Sequence, residues 1–144
     1  MHPSVKQARQ LLPNPFDPED ISDGVDLCLR LRVADIFNVD QALKALDAVG
    51  EARVEVVEYR NAHAILIPQF KAECRRVERE FKLAKPQERP TNLERLVKTD
   101  ERWIDLEGRA GMCQSIVDKC DSLEKILDSK YFILQMVLKE KLHG

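Results

Sequence analysis

Apolar residues recur every three or four positions through most of this chain, and nowhere do they alternate for long enough to define a sheet. The longest stretch of the pattern fills the second half, from Thr91 to about Leu142. Leu96, Trp103, Leu106, Ala110, Cys113, Val117, Cys120, Leu123, Leu127, Tyr131 and Leu134 fall on one face of a single helix. About 50 helical residues at about 1.5 Å each make a rod of roughly 75 Å. A rod of that length is expected to need another long helix over its seam, from this chain or from copies of it. The expected subunit contacts are Trp103, Leu106, Cys113, Val117, Cys120, Leu123, Leu127, Tyr131 and Leu134.

The first half carries a second helical pattern. Asn38 or Asp40 can cap its start, and its stripe reads Leu43, Leu46, Val57, Ala64, Ile67, Cys74, Val77 and Phe81. Pro68 interrupts it. An interior proline deletes a backbone hydrogen bond and crowds the preceding turn, which predicts a kink or break near residues 64–68. The pattern resumes over Gln69–Lys85, and Pro86 and Pro90 mark a turn near 86–91. Thr91-Asn92-Leu93-Glu94 reads as a capping box that opens the long third helix. Gly108 and Gly111 lie inside that helix and imply either a close helix approach or a bend.

The segment 19–37 is less regular. Pro18-Glu19-Asp20 resembles a helix start, whereas Asp26 to Val33 alternates for part of its length like an edge strand. No second strand is present to pair with it, so a short helix is expected. Pro3, Pro13, Pro15 and Pro18 make residues 1–18 an extended arm or a terminal loop. The expected fold is therefore all-α: an oligomer-forming helical hairpin with a long C-terminal helix and a short N-terminal helical appendage. Residues 1–18 form the arm and 19–144 a single helical domain.

Composition narrows the function classes. The chain has 144 residues, 33% of them charged and 6% aromatic, as long solvated helices require. Cys28, Cys74, Cys113 and Cys120 form no CxxC pair, and the histidines are His2, His63 and His143, so metal-ligand spacing is lacking. Cys113 and Cys120, one heptad apart, read as small buried hydrophobes in a reduced cytosol, with an interchain disulfide or redox role as the alternative. No apolar run reaches a membrane span and no signal-peptide pattern opens the chain, so a cytoplasmic protein without membrane contact is expected. Glycine-rich phosphate loops, nucleophile elbows and HExxH are all missing. His63 reads as a packed or helix-surface residue. No catalysis and no cofactor are expected.

Charge is uneven. Nine basic and five acidic residues lie between Lys71 and Lys98, a local excess of +4 in a chain whose net charge is -2, which leaves -6 elsewhere. Arg75, Arg79 and Lys82 share one helix face at i, i+4 and i+7, with Arg76 beside them. Lys85 and Arg89 continue the basic character into the turn. Such a surface, repeated around an oligomer, can hold nucleic-acid phosphates without regard to sequence. The alternative is a solvated face neutralised by local ion pairs such as Arg75 with Glu78. Phe70 and Phe81 fit the apolar stripe better than a base-stacking platform.

From Leu96-Val97-Lys98-Thr99-Asp100, through apolar Trp103 and Leu106 and Ile116-Val117-Asp118, to Cys120, Ile126 or Leu127 and Ser129-Lys130-Tyr131-Phe132, the chain resembles the UvsY-type recombination mediators of T-even-like phages. The resemblance covers about 40 residues without gaps; the preceding helix from Glu58 to Lys85 matches only in its apolar and basic rhythm, and residues 1–50 do not take part. It implies a ring-forming, non-enzymatic protein that binds single-stranded DNA. Its role would be to load a RecA-like recombinase onto DNA covered by single-strand-binding protein. The family's DNA contacts fall by position on Lys82 and then Lys85, although Pro86 stands where the family continues with basic and aromatic residues. The cytoplasm would be that of an infected host cell. The expected DNA-binding set is Arg75, Arg76, Arg79, Lys82, Lys85 and Arg89. The rival expectation is a phage virion or tail-assembly component whose helices serve only protein contacts.

Overall fold

The computed structural model describes residues 22–143, all of whose regular structure is helical. Helix α1 spans Asp23–Arg30, a 3-10 turn covers Val33–Asp35, α2 runs Val39–Ala64, α3 Leu66–Ala84, α4 Pro90–Thr99 and α5 Glu101–His143. The arm and the Pro18-Glu19-Asp20 helix start lie outside the described residues. The described residues group into two compact units. One, here the turn unit, is Ala62–Val117; the other, the tail unit, is 22–61 with 118–143.

In the turn unit, α3 and the first part of α5 run antiparallel. Lys71 pairs with Glu107 and Glu80 with Arg102, so moving forward along α3 moves backward along α5. The expected break falls between Ala64 and Leu66, and Pro68 sits in the first turn of α3, where its missing N–H costs least. Lys85 ends α3, its N–H donating to the Phe81 carbonyl at 3.0 Å. Cys74, Val77, Val97, Ala110, Cys113, Ile116 and Val117 are buried.

Two details at the start of the long helix differ from the sequence reading. Thr91 does not cap: Pro90 occupies the first helical position with Arg89 before it, and Glu94 turns to Lys98 at 2.7 Å instead of reaching back. Proline's fixed φ initiates the turn without a side-chain cap. The rod is also not continuous from Thr91. Asp100 is extended (φ -72°, ψ 130°), closes α4 and opens α5 by accepting the Arg102 N–H at 2.9 Å. Burial pushes the Asp100 carboxyl up. Hydrogen bonds from the Arg102 side chain and backbone, the Arg102 charge and the Trp103 N–H outweigh it and hold the carboxyl below its usual range. That preference for the charged form is a stabilising term above the ordinary carboxylate range, and it is lost as pH falls through the lowered folded value. We expect Asp100→Ala to cost about 1 kcal/mol at neutral pH, and its deficit in urea midpoint to shrink near pH 3. An equal deficit at both pH values would refute the charged cap.

In the tail unit, Arg53 pairs with Asp128 and Arg60 with Asp121, which sets α2 antiparallel to the second part of α5. The buried residues of α2 here are Ala42, Ala45, Val49, Ala52 and Val56. The stripe expected from spacing lies beside this seam: Leu43 is 48% exposed, and Leu46 and Val57 are only half-buried. A seam of alanine and valine lets two helix backbones approach closely, so the smaller residues take the inner positions. Asn38 caps α2, accepting the Gln41 N–H at 2.8 Å, while the Gln41 side chain accepts the Phe37 N–H at 2.8 Å. An arrangement close to the one expected at Thr91 thus occurs here, with the returning side chain reaching one residue ahead of the cap.

Helix α1 is short and depends on its neighbours. Ser22 accepts the Val25 N–H at 3.2 Å and donates to Glu55 at 2.7 Å. At the other end, Lys130 of α5 donates to the carbonyls of Cys28 (2.9 Å), Leu31 (3.1 Å) and Leu29. An ammonium there satisfies end carbonyls and opposes the negative end of the helix dipole.

The chain itself accounts for most of the seam assigned to subunit contacts. Cys113, Val117, Cys120, Leu127 and Leu134 are buried in the single chain, and Trp103, Leu106, Leu123 and Tyr131 are half-buried. The cover expected over this stripe, from this chain or from copies of it, is therefore supplied by helices of the same chain. A β-carbon at Gly108 or Gly111 would meet no described residue within 4 Å, so neither glycine serves a close approach among the described residues. Both positions are helical and exposed. Gly108→Ala and Gly111→Ala should each stabilise by about 0.5–1 kcal/mol in urea unfolding. A loss of stability in either would reveal a demand for glycine there.

Candidate nucleic-acid interface

Cys74, Val77 and Phe81 turn one face of α3 inward, which places Arg75, Arg79 and Lys82 on the opposite, exposed face. Arg76 lies a quarter-turn away, and Lys85 and Arg89 follow in the turn before α4; all six expected DNA-binding residues are exposed.

Ion pairing distinguishes them. Arg76 is engaged by Glu73 at 2.8 Å, and Lys71 by Glu107 at 3.2 Å. Glu80 is held by Arg102 and Glu94 by Lys98, both at 2.7 Å. The Arg75–Glu78 pair that would neutralise the row is not made. Arg75, Arg79, Lys82, Lys85 and Arg89 have no ion pair or side-chain hydrogen bond to any described residue. Arg95 on α4 is likewise exposed and unpaired among the described residues. Arg95 belongs to the charge excess between Lys71 and Lys98 and joins the exposed cations here, outside the set expected from spacing. In this segment, six unengaged cations therefore face two carboxylates outside ion pairs, Glu78 and Glu88, the latter accepting from Asn92. Arg76 is the weakest member of the expected set.

The row ends at a groove of about 390 Å3 between α3, α4 and the start of α5. Pro90, Leu93, Val97 and Trp103 supply its apolar lining, and Glu78, Lys82, Glu94 and Lys98 its charged lining. The Trp103 indole N–H is buried with no hydrogen-bond partner among the described residues. Hydrogen bonding to Lys98 and the Lys98 charge hold Glu94 below its usual range; the same bond, reciprocated, raises Lys98. Both stay ionised at neutral pH, so their pair adds no net charge at the groove.

Elsewhere His63 and the four cysteines are packed rather than poised. His63 is buried. Among the described residues no group of three His, Cys, Asp or Glu could hold a metal ion, and no helix is long and apolar enough to cross a membrane. All four cysteines are buried free thiols. Burial pushes Cys28, Cys113 and Cys120 up. Burial, then the Glu107 charge and a hydrogen bond to Glu107, push Cys74 from 9.0 to about 11. That change alone lowers its thiolate fraction about 100-fold at neutral pH. Titration with a thiol-reactive disulfide should find four thiols in denaturant and very slow reaction in the native protein. One rapidly reacting native equivalent would contradict the packing described.

Comparison of the chain with protein-family models, with curated proteins and with solved structures gave no match.

Proposed function

We propose that this is a non-enzymatic mediator that self-associates, binds single-stranded DNA and helps load a RecA-like recombinase onto DNA coated with single-strand-binding protein. The observation that carries the DNA-binding part is the exposed row Arg75, Arg79, Lys82, continued by Lys85 and Arg89, whose charges no described carboxylate neutralises. The recombinase and single-strand-binding partners rest on the resemblance to UvsY-type mediators.

The chemistry is simple. Guanidinium and ammonium groups that are already solvated and unpaired lose no internal partner when a phosphate arrives. Each phosphate they neutralise releases counterions, so binding falls with salt and ignores sequence. Repetition of the row on associated copies converts weak contacts into avidity. A ring would present the rows to one strand in succession.

The second reading, a virion or tail-assembly component, draws on a different observation. Large apolar side chains remain exposed on the tail unit, Phe132 and Val54 among them, as protein-contact surfaces require. A fluorescence titration with labelled single-stranded oligonucleotides separates the two. The mediator reading expects binding at low salt, with a log–log salt slope of about -3 for four or five phosphate contacts. No binding at low salt favours the assembly component.

A further inference from the structure

The tail unit carries an apolar groove and, on another helix face, an apolar ridge, and the two are complementary in charge. The groove lies along α2 beside Tyr131. Leu46, Gly50, Val54 and Val57 form its floor, and its two overlapping lobes measure about 430 and 380 Å3. Gly50 creates the hollow by lacking a side chain; a β-carbon there would come within 3.8 Å of the Tyr131 ring. Val54 is 56% exposed on this floor. Asp47 and Glu51 stand at one end of the groove, Glu58 and Glu124 at the other. None of these four carboxylates has an ion pair among the described residues; of the cations near them, Arg53 is engaged by Asp128, and Arg60, which feels the Glu124 charge, by Asp121.

The ridge is the outer face of the last turns of α5. Leu127 and Leu134 are fully buried on the inner face. Opposite them, Lys125, Phe132, Met136 and Lys139 share one exposed stripe. Phe132 is 63% and Met136 51% exposed, one turn apart, with a lysine on either side of the pair. Neither lysine has an ion pair among the described residues. Residues 46 to 57 span roughly 16 Å of helix and 125 to 139 roughly 21 Å, so two lysine side chains can reach the carboxylates at both ends. The ridge faces away from its own inner seam, so it cannot enter the groove of its own chain.

We propose that the α2 groove of one copy receives the Phe132–Met136 ridge of a second copy, head to tail, with Lys125 and Lys139 meeting the acidic ends. This rests on the self-association included in the proposed function and names its surfaces. Groove and ridge are different patches, so the contact is heterologous and propagates into a closed ring or a filament. An aromatic side chain set against the Gly50 hollow is the kind of anchor that dominates such contacts. The acidic ends also exclude a polyanion as occupant.

The test is complementation. Val54→Glu breaks the groove and leaves the ridge; Phe132→Asp breaks the ridge and leaves the groove. Both side chains are more than half exposed, so each variant should melt close to the unsubstituted protein. Light scattering should find the unsubstituted protein as a multimer and each variant alone at the 16.6 kDa of one chain. A 1:1 mixture should give a species of twice that mass and no larger, because one sound groove meets one sound ridge and propagation stops. Monomeric variants that fail to pair on mixing overturn the head-to-tail contact. Variants that keep the multimer's mass overturn the surfaces while leaving self-association standing. Multimers lost only on removal of residues 1–21 would assign the contact to that segment instead. An unsubstituted protein that stays at one chain's mass overturns this contact and the self-association in the proposed function together.

Discussion

Asp105→Ala should lower the stability of the protein by about 3–5 kcal/mol, the largest effect expected of any single substitution described. Asp105 is buried, and its carboxylate lies 3.4 Å from the Arg109 guanidinium, whose side chain is only 16% exposed. The two are one helical turn apart in α5. Arg109 also lies over the Phe70 ring of α3, 5.9 Å from its centroid, which ties the pair to the neighbouring helix. Truncation of Asp105 takes from a poorly solvated guanidinium the carboxylate it faces, and breaking a buried pair costs more than the intact pair contributes. Against a typical total of about 5–15 kcal/mol, such a loss brings the domain close to unfolding at ordinary temperature. Replacing both residues, Asp105→Leu with Arg109→Met, should recover most of the stability, because both members of the pair are replaced together by apolar side chains. Chemical denaturation of the two single variants and the double variant checks this. A single Asp105→Ala variant within 1 kcal/mol of the unsubstituted protein would show that the pair is solvated.

The second large effect concerns binding. Reversing Arg75, Arg79 and Lys82 to glutamate should abolish single-stranded DNA binding at moderate salt and leave the melting temperature nearly unchanged. All three side chains are exposed and none has a described ion pair to break. Removal of three phosphate contacts flattens the salt slope by about 2, and three like charges in their place repel the strand. Surface charge changes away from packed groups normally alter stability by no more than about 0.5 kcal/mol. The informative control is Arg76→Glu alone, since Arg76 already holds Glu73 and should matter least. Retained affinity in the triple variant would move the interface elsewhere.

Particular residues show what the sequence made legible. Pro68 announced the break at Ile65 because a missing N–H acts locally, and the prolines at 86 and 90 bracketed the turn for the same reason. The all-helical class followed from spacing alone. Facts that depend on what lies across the fold were not legible. Ala42, Ala45 and Ala52 line the seam, and the larger Leu43 does not, because the distance between helices selects size after periodicity has selected the face. Lys130 reads as a surface lysine and instead closes the end of a helix about a hundred residues away. Asp100 did carry a local signal, an aspartate just ahead of Glu101, but the apolar stripe running past it masked the break. In the candidate interface, the shared face of Arg75, Arg79 and Lys82 was visible from spacing. Which cations the neighbouring glutamates neutralise was not, since Glu80 reaches across to Arg102 rather than along its own helix.

The chain's single tryptophan, Trp103, belongs to the turn unit, and both tyrosines, Tyr59 and Tyr131, belong to the tail unit. Indole and phenol signals therefore report on different halves of one molecule. Heating a single sample while following both chromophores distinguishes one cooperative transition from two, without any label or substitution.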